Sequence, residues 1–364
     1  MRPATGQIYA CPLSGIAYNE ALYAAARDLG MDVREAMWAG RWLVPRLKSG
    51  DTIHLHWPSF LYYLPSSRWR SLVQLFRFVA IVLLLRARGV RVFWTAHNLY
   101  PHDGGKQEWM HRVARRVLVA ISERIFAHGP TAARLVSAEF SVPASRLSVI
   151  PHGHWVGVYP NTIRPEEARQ KLGLPNAAKL LLFFGQCKPY KGLESLIEAL
   201  PKLSPDTMLL VAGKFSDAQY EQKIRALAKR VAAERITIVP GFVDDAELQI
   251  FFNAADLVAL PYLEVLTSGN AMSAMSFGRP VVAPRLGSLI DVVKPGCGVL
   301  YDPEDPDGLA AALIRAASMK FDSAAIMAHA AKYTWEDAAL ALREAHEYAG
   351  SASRFPGVSV PTER

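Results

Sequence analysis

Cysteine is scarce in this 364-residue chain. Cys11, Cys187 and Cys297 are the only three, and no CxxC pair occurs, which excludes a disulfide framework and offers no structural zinc spacing. A secretory leader is missing too: Arg2 and Pro3 run into a polar segment with no apolar core, so a cytoplasmic location is expected. No apolar run reaches the roughly 20 residues that a membrane-spanning helix needs; the uninterrupted stretch from Phe78 to Leu85 stops far short. The first strand is followed by no GxGxxG fingerprint, which argues against a dinucleotide oxidoreductase. Internal repeats and low-complexity segments are absent as well.

Carboxylates are missing from one long interval. None lies between Asp51 and Asp103, while Arg68, Arg70, Arg77, Arg86, Arg88 and Arg91 all fall inside it. Residues 1–160 hold 19 Lys and Arg against 9 Asp and Glu, and residues 161–364 hold 22 against 24. The first part therefore carries all of the net charge of +8. Trp57, Phe60, Tyr62, Tyr63, Trp69 and Phe76 share the acid-free interval. Basic and aromatic surface suits an anionic membrane or a lipid diphosphate, with about 1 kcal/mol from each basic residue near such a surface. Arg68, Trp69, Arg70 and Arg77 are the expected contacts. Nucleic acid also attracts basic faces, but no recognition motif for it occurs and none is expected as a partner. The apolar helix from Ser71 to Arg88 either packs on a sheet or lays its arginine-bearing face on a membrane interface.

Strands and helices alternate through both halves, which predicts an α/β protein with two doubly wound domains. In the first half the strands are expected at Gln7–Ala10, Asp51–Trp57, Val90–Thr95, Arg124–His128 and Ser148–Pro151. In the second they are expected at Leu180–Gly185, Met208–Gly213, Ile236–Val239, Leu257–Pro261 and Val281–Pro284, with Gly287–Val293 and Gly296–Tyr301 completing the sheet. The Pro- and Asn-rich segment 158–165 marks the boundary. The domains are thus 1–158, 159–334 and a last helix with a loose tail, 335–364. His54 and His56 share one strand face, either as a metal pair or as polar residues at the sheet edge. The acidic turn Asp302–Asp307 is expected to open the following helix rather than to bind metal.

The segment Leu257–Pro284 (LVALPYLEVLTSGNAMSAMSFGRPVVAP) concentrates the functional signal. A strand ends at Pro261, a loop carries Glu264, and a helix capped by Thr267 or Ser268 follows. Its free N–H groups and dipole make an anion site, and the small Thr267, Ser268 and Gly269 let a phosphate come close. A second loop, Gln186–Gly192 (QCKPYKG), presents Lys188 and Lys191 before another helix, where lysine serves a diphosphate as a mobile point charge.

This pattern resembles the donor-binding segment of GT-B glycosyltransferases, most closely the retaining family 4. Ala274, Met275, Gly278, Pro280, Val281, Val282 and Ala283 match its signature, as do Gly185, Lys191 and Gly192. Ser273 stands where the family usually has a second Glu, and Gln186 where it has an Arg. The resemblance covers roughly residues 5–349. It implies two Rossmann-like domains facing one another across a cleft, an N-terminal acceptor domain and a C-terminal nucleotide-sugar domain. It also implies that His97, in the TAHN segment, and Glu264 meet the donor sugar. The Gly15 loop is expected at the cleft, Phe242 at the base, and Gln186, Lys188, Lys191 and Thr267–Asn270 at the diphosphate.

The expected reaction moves a hexosyl group from a nucleotide sugar, GDP-mannose or a UDP-hexose, to a lipid-linked glycan on the inner face of the cytoplasmic membrane. Fixed cations take the leaving group's charge, so neither metal nor cofactor is expected. A retaining transfer lets the departing phosphate accept the acceptor proton. An inverting one needs a base, for which Asp103, His97 and Glu20 are the candidates. A non-catalytic sugar-nucleotide-binding module is the reading from another class.

Overall fold

The computed structural model describes residues 6–102 and 108–348. Asp103 and everything after residue 348 lie outside them. The chain divides into two units, Met1–Gly153 with Thr334–Arg364, and His154–Tyr333. The division falls at 153/154 rather than at 158/159. The physical reason is that His154 N–H donates to the Tyr333 carbonyl at 2.8 Å and Trp155 N–H to Ser276 Oγ at 2.9 Å, which anchors this segment in the second unit.

The first unit holds a six-stranded sheet in the order β2-β1-β3-β4-β5-β6. Its strands are β1 Ile8–Cys11, β2 Val33–Glu35, β3 Thr52–Leu55, β4 Arg91–Thr95, β5 Arg124–Ala127 and β6 Leu147–Val149. The second unit repeats the architecture as β12-β11-β10-β7-β8-β9. Here β7 is Lys179–Phe184, β8 Thr207–Gly213, β9 Ile236–Pro240, β10 Leu257–Ala259, β11 Val281–Pro284 and β12 Gly298–Tyr301. All pairings are parallel. Parallel strands are covered by helices on both faces, which is why β4, β8 and β10 read as nearly unbroken apolar runs.

Strand order reverses between β1 and β3 in the first unit and between β7 and β10 in the second. Ligands of open α/β sheets bind outside the carboxyl ends of strands at such switch points. The chain thereby sends four loops to two candidate positions: the Gly15 and His56 loops in one unit, and the Gln186–Gly192 and Tyr262–Ser268 loops in the other.

Two expectations are corrected. Gly287–Val293 is not a strand, because Gly287 turns at φ +50 against the Val265 and Leu266 carbonyls and Leu289–Val292 forms a helical turn. The short edge strand β2 escaped notice because only Val33 in it is buried.

The last helix, Trp335–Tyr348, packs on Ala17–Asp28 of the first unit, where Ala338, Ala339, Leu342 and Ala345 join Leu22, Tyr23 and Ala26 in one buried cluster. Burying Leu342 alone contributes about 2 kcal/mol. His346 fastens the end of this helix, its Nε2 donating to the Gly6 carbonyl at 2.8 Å.

Candidate active site

In the second unit the lysine turn and the loop after β10 are joined by short bonds. Leu263 N–H donates to the Tyr190 carbonyl at 2.9 Å. Asn270 Nδ2 donates to the Phe184 carbonyl at 2.7 Å and to Tyr262 Oη at 3.2 Å. Glycines make the approach possible. A Cβ on Gly192, at φ +67, would lie 2.0 Å from the Pro261 carbonyl oxygen, and one on Gly185 would lie 2.9 Å from Asn270 Nδ2.

Ser268 caps the helix Gly269–Ser276, its Oγ accepting from Ala271 N–H at 3.3 Å. The first N–H groups of any helix have no partner within it, so Gly269 and Asn270 offer a donor pair backed by the helix dipole. Lys191 stands beside this end with its Nζ 5.5 Å from the Tyr262 ring centroid, a cation–π distance. Lys188 is half-buried on the same turn, Gln186 is exposed, and Glu264 is exposed on the neighbouring loop. Thr267 Oγ1 accepts from Ser288 Oγ at 3.2 Å, which braces the loop from behind. Phe242, 80% exposed, follows Gly241 at the carboxyl end of β9. The sequence names these residues as candidates but does not single out Tyr262, which touches Lys191, Ser268 and Asn270. No motif marks it; only its position directly after Pro261, where the strand ends, sets it apart. Asn270 differs from its expected role: its side-chain amide is committed to the protein, leaving its backbone N–H for a ligand.

In the first unit His97 follows β4, but the residue is only 8% exposed and both ring nitrogens are engaged. His56 Nδ1 lies 2.9 Å from His97 Nε2, and His128 Nε2 lies 3.3 Å from His97 Nδ1. Trp57 stacks on the same ring at 3.8 Å between centroids. Burial, followed by the neighbouring His128, His56, His152 and His54, holds His97 well below the ordinary histidine range. Burial likewise takes His54 and His128 down to about 3. A ring so placed is not a general base for an acceptor, which corrects that expectation for His97. His54 and His56 are also not at a sheet edge: both are fully buried against the Tyr23 hydroxyl. Among the described residues, no group of three or more His, Cys, Asp or Glu has metal-binding geometry. Gly15 turns at φ +78, with its N–H held by Glu20 Oε1 at 2.8 Å. Asp103 lies outside the described residues.

Arg68, Trp69, Arg70 and Arg77 all lie on the exposed side of the helix Arg68–Ala87. Leu75, Phe78, Val82 and Leu85 form its buried face. On the opposite face Trp69, Leu72, Phe76 and Leu83 recur at helical spacing, all exposed, with Arg70 and Arg77 along one border and Arg86 on the other. No helix among the described residues is long and apolar enough to cross a membrane.

Residues 165–334 match the family model described as glycosyl transferases group 1. A GDP-mannose:glycolipid 4-beta-D-mannosyltransferase of Xanthomonas campestris pv. campestris is 29% identical over 260 residues, covering 70% of this chain and 68% of that protein. Among solved structures, a glycosyltransferase from Rickettsia africae matches with a TM-score of 0.69 at 13% identity, over 94% of this chain and 98% of that one. HepE of Anabaena, solved with UDP and glucose, matches with 0.63 at 17%, over 95% and 97%. The likeness to these solved structures shows the GT-B fold. The matched segment, residues 165–334, lies almost wholly within the second unit.

Proposed function

We propose that this enzyme transfers a hexosyl group from a nucleoside diphosphate sugar, GDP-mannose or a UDP-hexose, to a polyprenyl-diphosphate-linked glycan. It works as a peripheral protein on the inner face of the cytoplasmic membrane, in polysaccharide assembly. The observation that carries the reading is the joining of two switch-point loops, Leu263 to Tyr190 and Asn270 to Phe184, which sets Lys191 beside an unpaired helix end. Breaking the bond between the sugar and the diphosphate leaves new negative charge on the leaving group. Lys191, Lys188 and the N–H groups of Gly269 and Asn270 are fixed where they stabilise that charge, without a metal ion. The relative from Xanthomonas, named for a GDP-mannose donor and a glycolipid acceptor, supports this choice of substrates. The apolar stripe bordered by Arg70, Arg77 and Arg86 supports a membrane surface as the place of work.

In the retaining form the departing phosphate oxygen takes the acceptor's hydroxyl proton while the new glycosidic bond forms on the same face of the sugar. Glu264 then orients the hexose. A second reading, inversion, is favoured by one observation: the relative's name specifies a β-mannosyl product. It requires a base, and Asp103 is the candidate. Titration with GDP and UDP, followed by NMR of the product's anomeric centre from GDP-mannose and UDP-glucose, tests the reading. Absence of binding to either diphosphate would sink it.

A further inference from the structure

Six side chains from four separate parts of the first unit form one unbroken row of hydrogen bonds. Thr95 Oγ1 lies 2.8 Å from His54 Nε2. His54 Nδ1 lies 2.9 Å from the Tyr23 hydroxyl, which lies 2.7 Å from His56 Nε2. His56 Nδ1 then meets His97 Nε2 at 2.9 Å, and His97 Nδ1 meets His128 Nε2 at 3.3 Å. The row ends where His128 Nδ1 lies 3.0 Å from the Ile150 carbonyl oxygen.

Counting protons from that end gives the row a direction. A carbonyl oxygen only accepts, so His128 must carry its proton on Nδ1, and a neutral imidazole then has a lone pair on Nε2. That lone pair requires a proton on His97 Nδ1. His97 Nε2 is then an acceptor and needs the proton of His56 Nδ1. By the same step Tyr23 donates to His56 Nε2, His54 Nδ1 donates to Tyr23, and Thr95 donates to His54 Nε2. Each of the six gaps receives one hydrogen. An extra proton on His97 or His128 would put two hydrogens in one gap, and burial already disfavours the charged forms.

We propose that these four imidazoles and the Tyr23 phenol are a single directional relay that holds His97 as its neutral Nδ1–H tautomer, and that His128 is the positioning residue that sets its direction. The relay keeps both ring nitrogens of His97 away from a substrate proton and fixes the Ala96–His97–Asn98 turn at the end of β4. This deepens the transferase reading, on which only the kinetic part of the test rests.

The decisive measurement needs no substrate. Long-range 1H–15N spectra of the full chain at neutral pH are expected to show His54, His56, His97 and His128 protonated on Nδ1 only. His97 protonated on Nε2, or on both nitrogens, would overturn the relay. A pair of variants separates positioning from packing. His128→Gln keeps an acceptor for His97 and a donor for Ile150, whereas His128→Phe keeps the ring volume and cuts both bonds. The relay predicts that the glutamine variant retains the His97 tautomer, and that the phenylalanine variant yields mixed tautomers and a kcat about tenfold lower, with unchanged affinity for the nucleoside diphosphate. The reverse ranking, with Phe better tolerated than Gln, would assign His128 to packing and overturn the proposal. Should the wild type turn over no donor at all, the transferase reading fails while the spectra still decide the relay.

Discussion

Asn270 reaches across the switch point of the second unit to donate its amide to the Phe184 carbonyl at 2.7 Å. One side chain from the first turn of a helix thereby fixes the end of the neighbouring central strand, and the distance between the lysine turn and the helix end follows from it. Asn270→Ala removes this bond and the one to Tyr262, leaving a partly buried carbonyl without its partner. The expected cost is ~1–3 kcal/mol of stability, with affinity for GDP or UDP falling about tenfold. Denaturant titration and calorimetry check the two effects; tight diphosphate binding by the alanine variant would separate this bond from the site.

Gly192 and Gly15 both adopt left-handed backbone, yet they should respond differently to alanine. At Gly15 a Cβ meets nothing within 4 Å, so only the backbone penalty of ~1–2 kcal/mol applies. At Gly192 the added carbon would lie 2.0 Å from the Pro261 oxygen. The lysine turn must then leave the Glu264 loop. Gly192→Ala is expected to abolish diphosphate binding, whereas Gly15→Ala retains it, and the same calorimetric titration reads both.

Lys191 has no ion-pair partner among the described residues and sits over Tyr262. Removing a charge that stabilises a leaving group typically costs ~3 kcal/mol in the transition state, or about a hundredfold in rate. Lys191→Met should lower kcat by that order, and excess chelator should leave the wild-type rate unchanged. Loss of activity in chelator would replace the proposed charge compensation by a metal.

Acid should weaken the first unit selectively. Burial brings His54 and His128 to about 3 and His152 and His346 to about 4. Their folded-state values lie below the unfolded value of about 6.5, so the unfolded chain binds more protons as pH falls. The stability they permit is complete above about pH 6.5 and is lost progressively towards pH 4. Each histidine kept neutral at pH 5 costs about 2 kcal/mol relative to pH 7. Thermal unfolding between pH 7.5 and 5 checks this, with a flat melting temperature as the contrary result.

Trp69 and Phe76 are 72% and 74% exposed on one face of their helix, with Arg70 and Arg77 beside them. Sedimentation with anionic vesicles should fall about tenfold when Trp69 and Phe76 are both changed to Ala, and again when Arg70 and Arg77 become Glu, at ~1 kcal/mol per basic residue. Binding that ignores lipid charge and salt would remove the membrane argument.

Much of this was legible in sequence because parallel strands buried on both faces leave apolar runs that stop at glycine and proline. Val281–Pro284 emerged from such a run, the helix Trp335–Tyr348 from its amphipathic spacing, and the cap was narrowed to Thr267 or Ser268, of which the structure uses Ser268. Gly287–Val293 misled because its apolar residues serve a turn that packs on the preceding loop. The relay was invisible for a different reason. Residues 23, 54, 56, 97 and 128 sit on elements that only the strand order brings together, and period-two spacing tied only His54 to His56. Tyr262 and Asn270 likewise act through contacts with residues some 70 to 90 positions away, as Asn270 does with Phe184.

The first unit is built from two stretches of the chain separated by the second, Met1–Gly153 and Thr334–Arg364, whereas the second is one continuous segment. During synthesis the N-terminal sheet leaves the ribosome first, but it waits for Ala338, Leu342 and Ala345 to cover Leu22 and Ala26. Domains that emerge whole fold as units as they appear, so here the later-made unit closes before the earlier one. Until residues 335–348 have been made, the helix Ala17–Asp28 keeps an open apolar seam, so a chain stopped short of residue 334 exposes the surface on which aggregation starts.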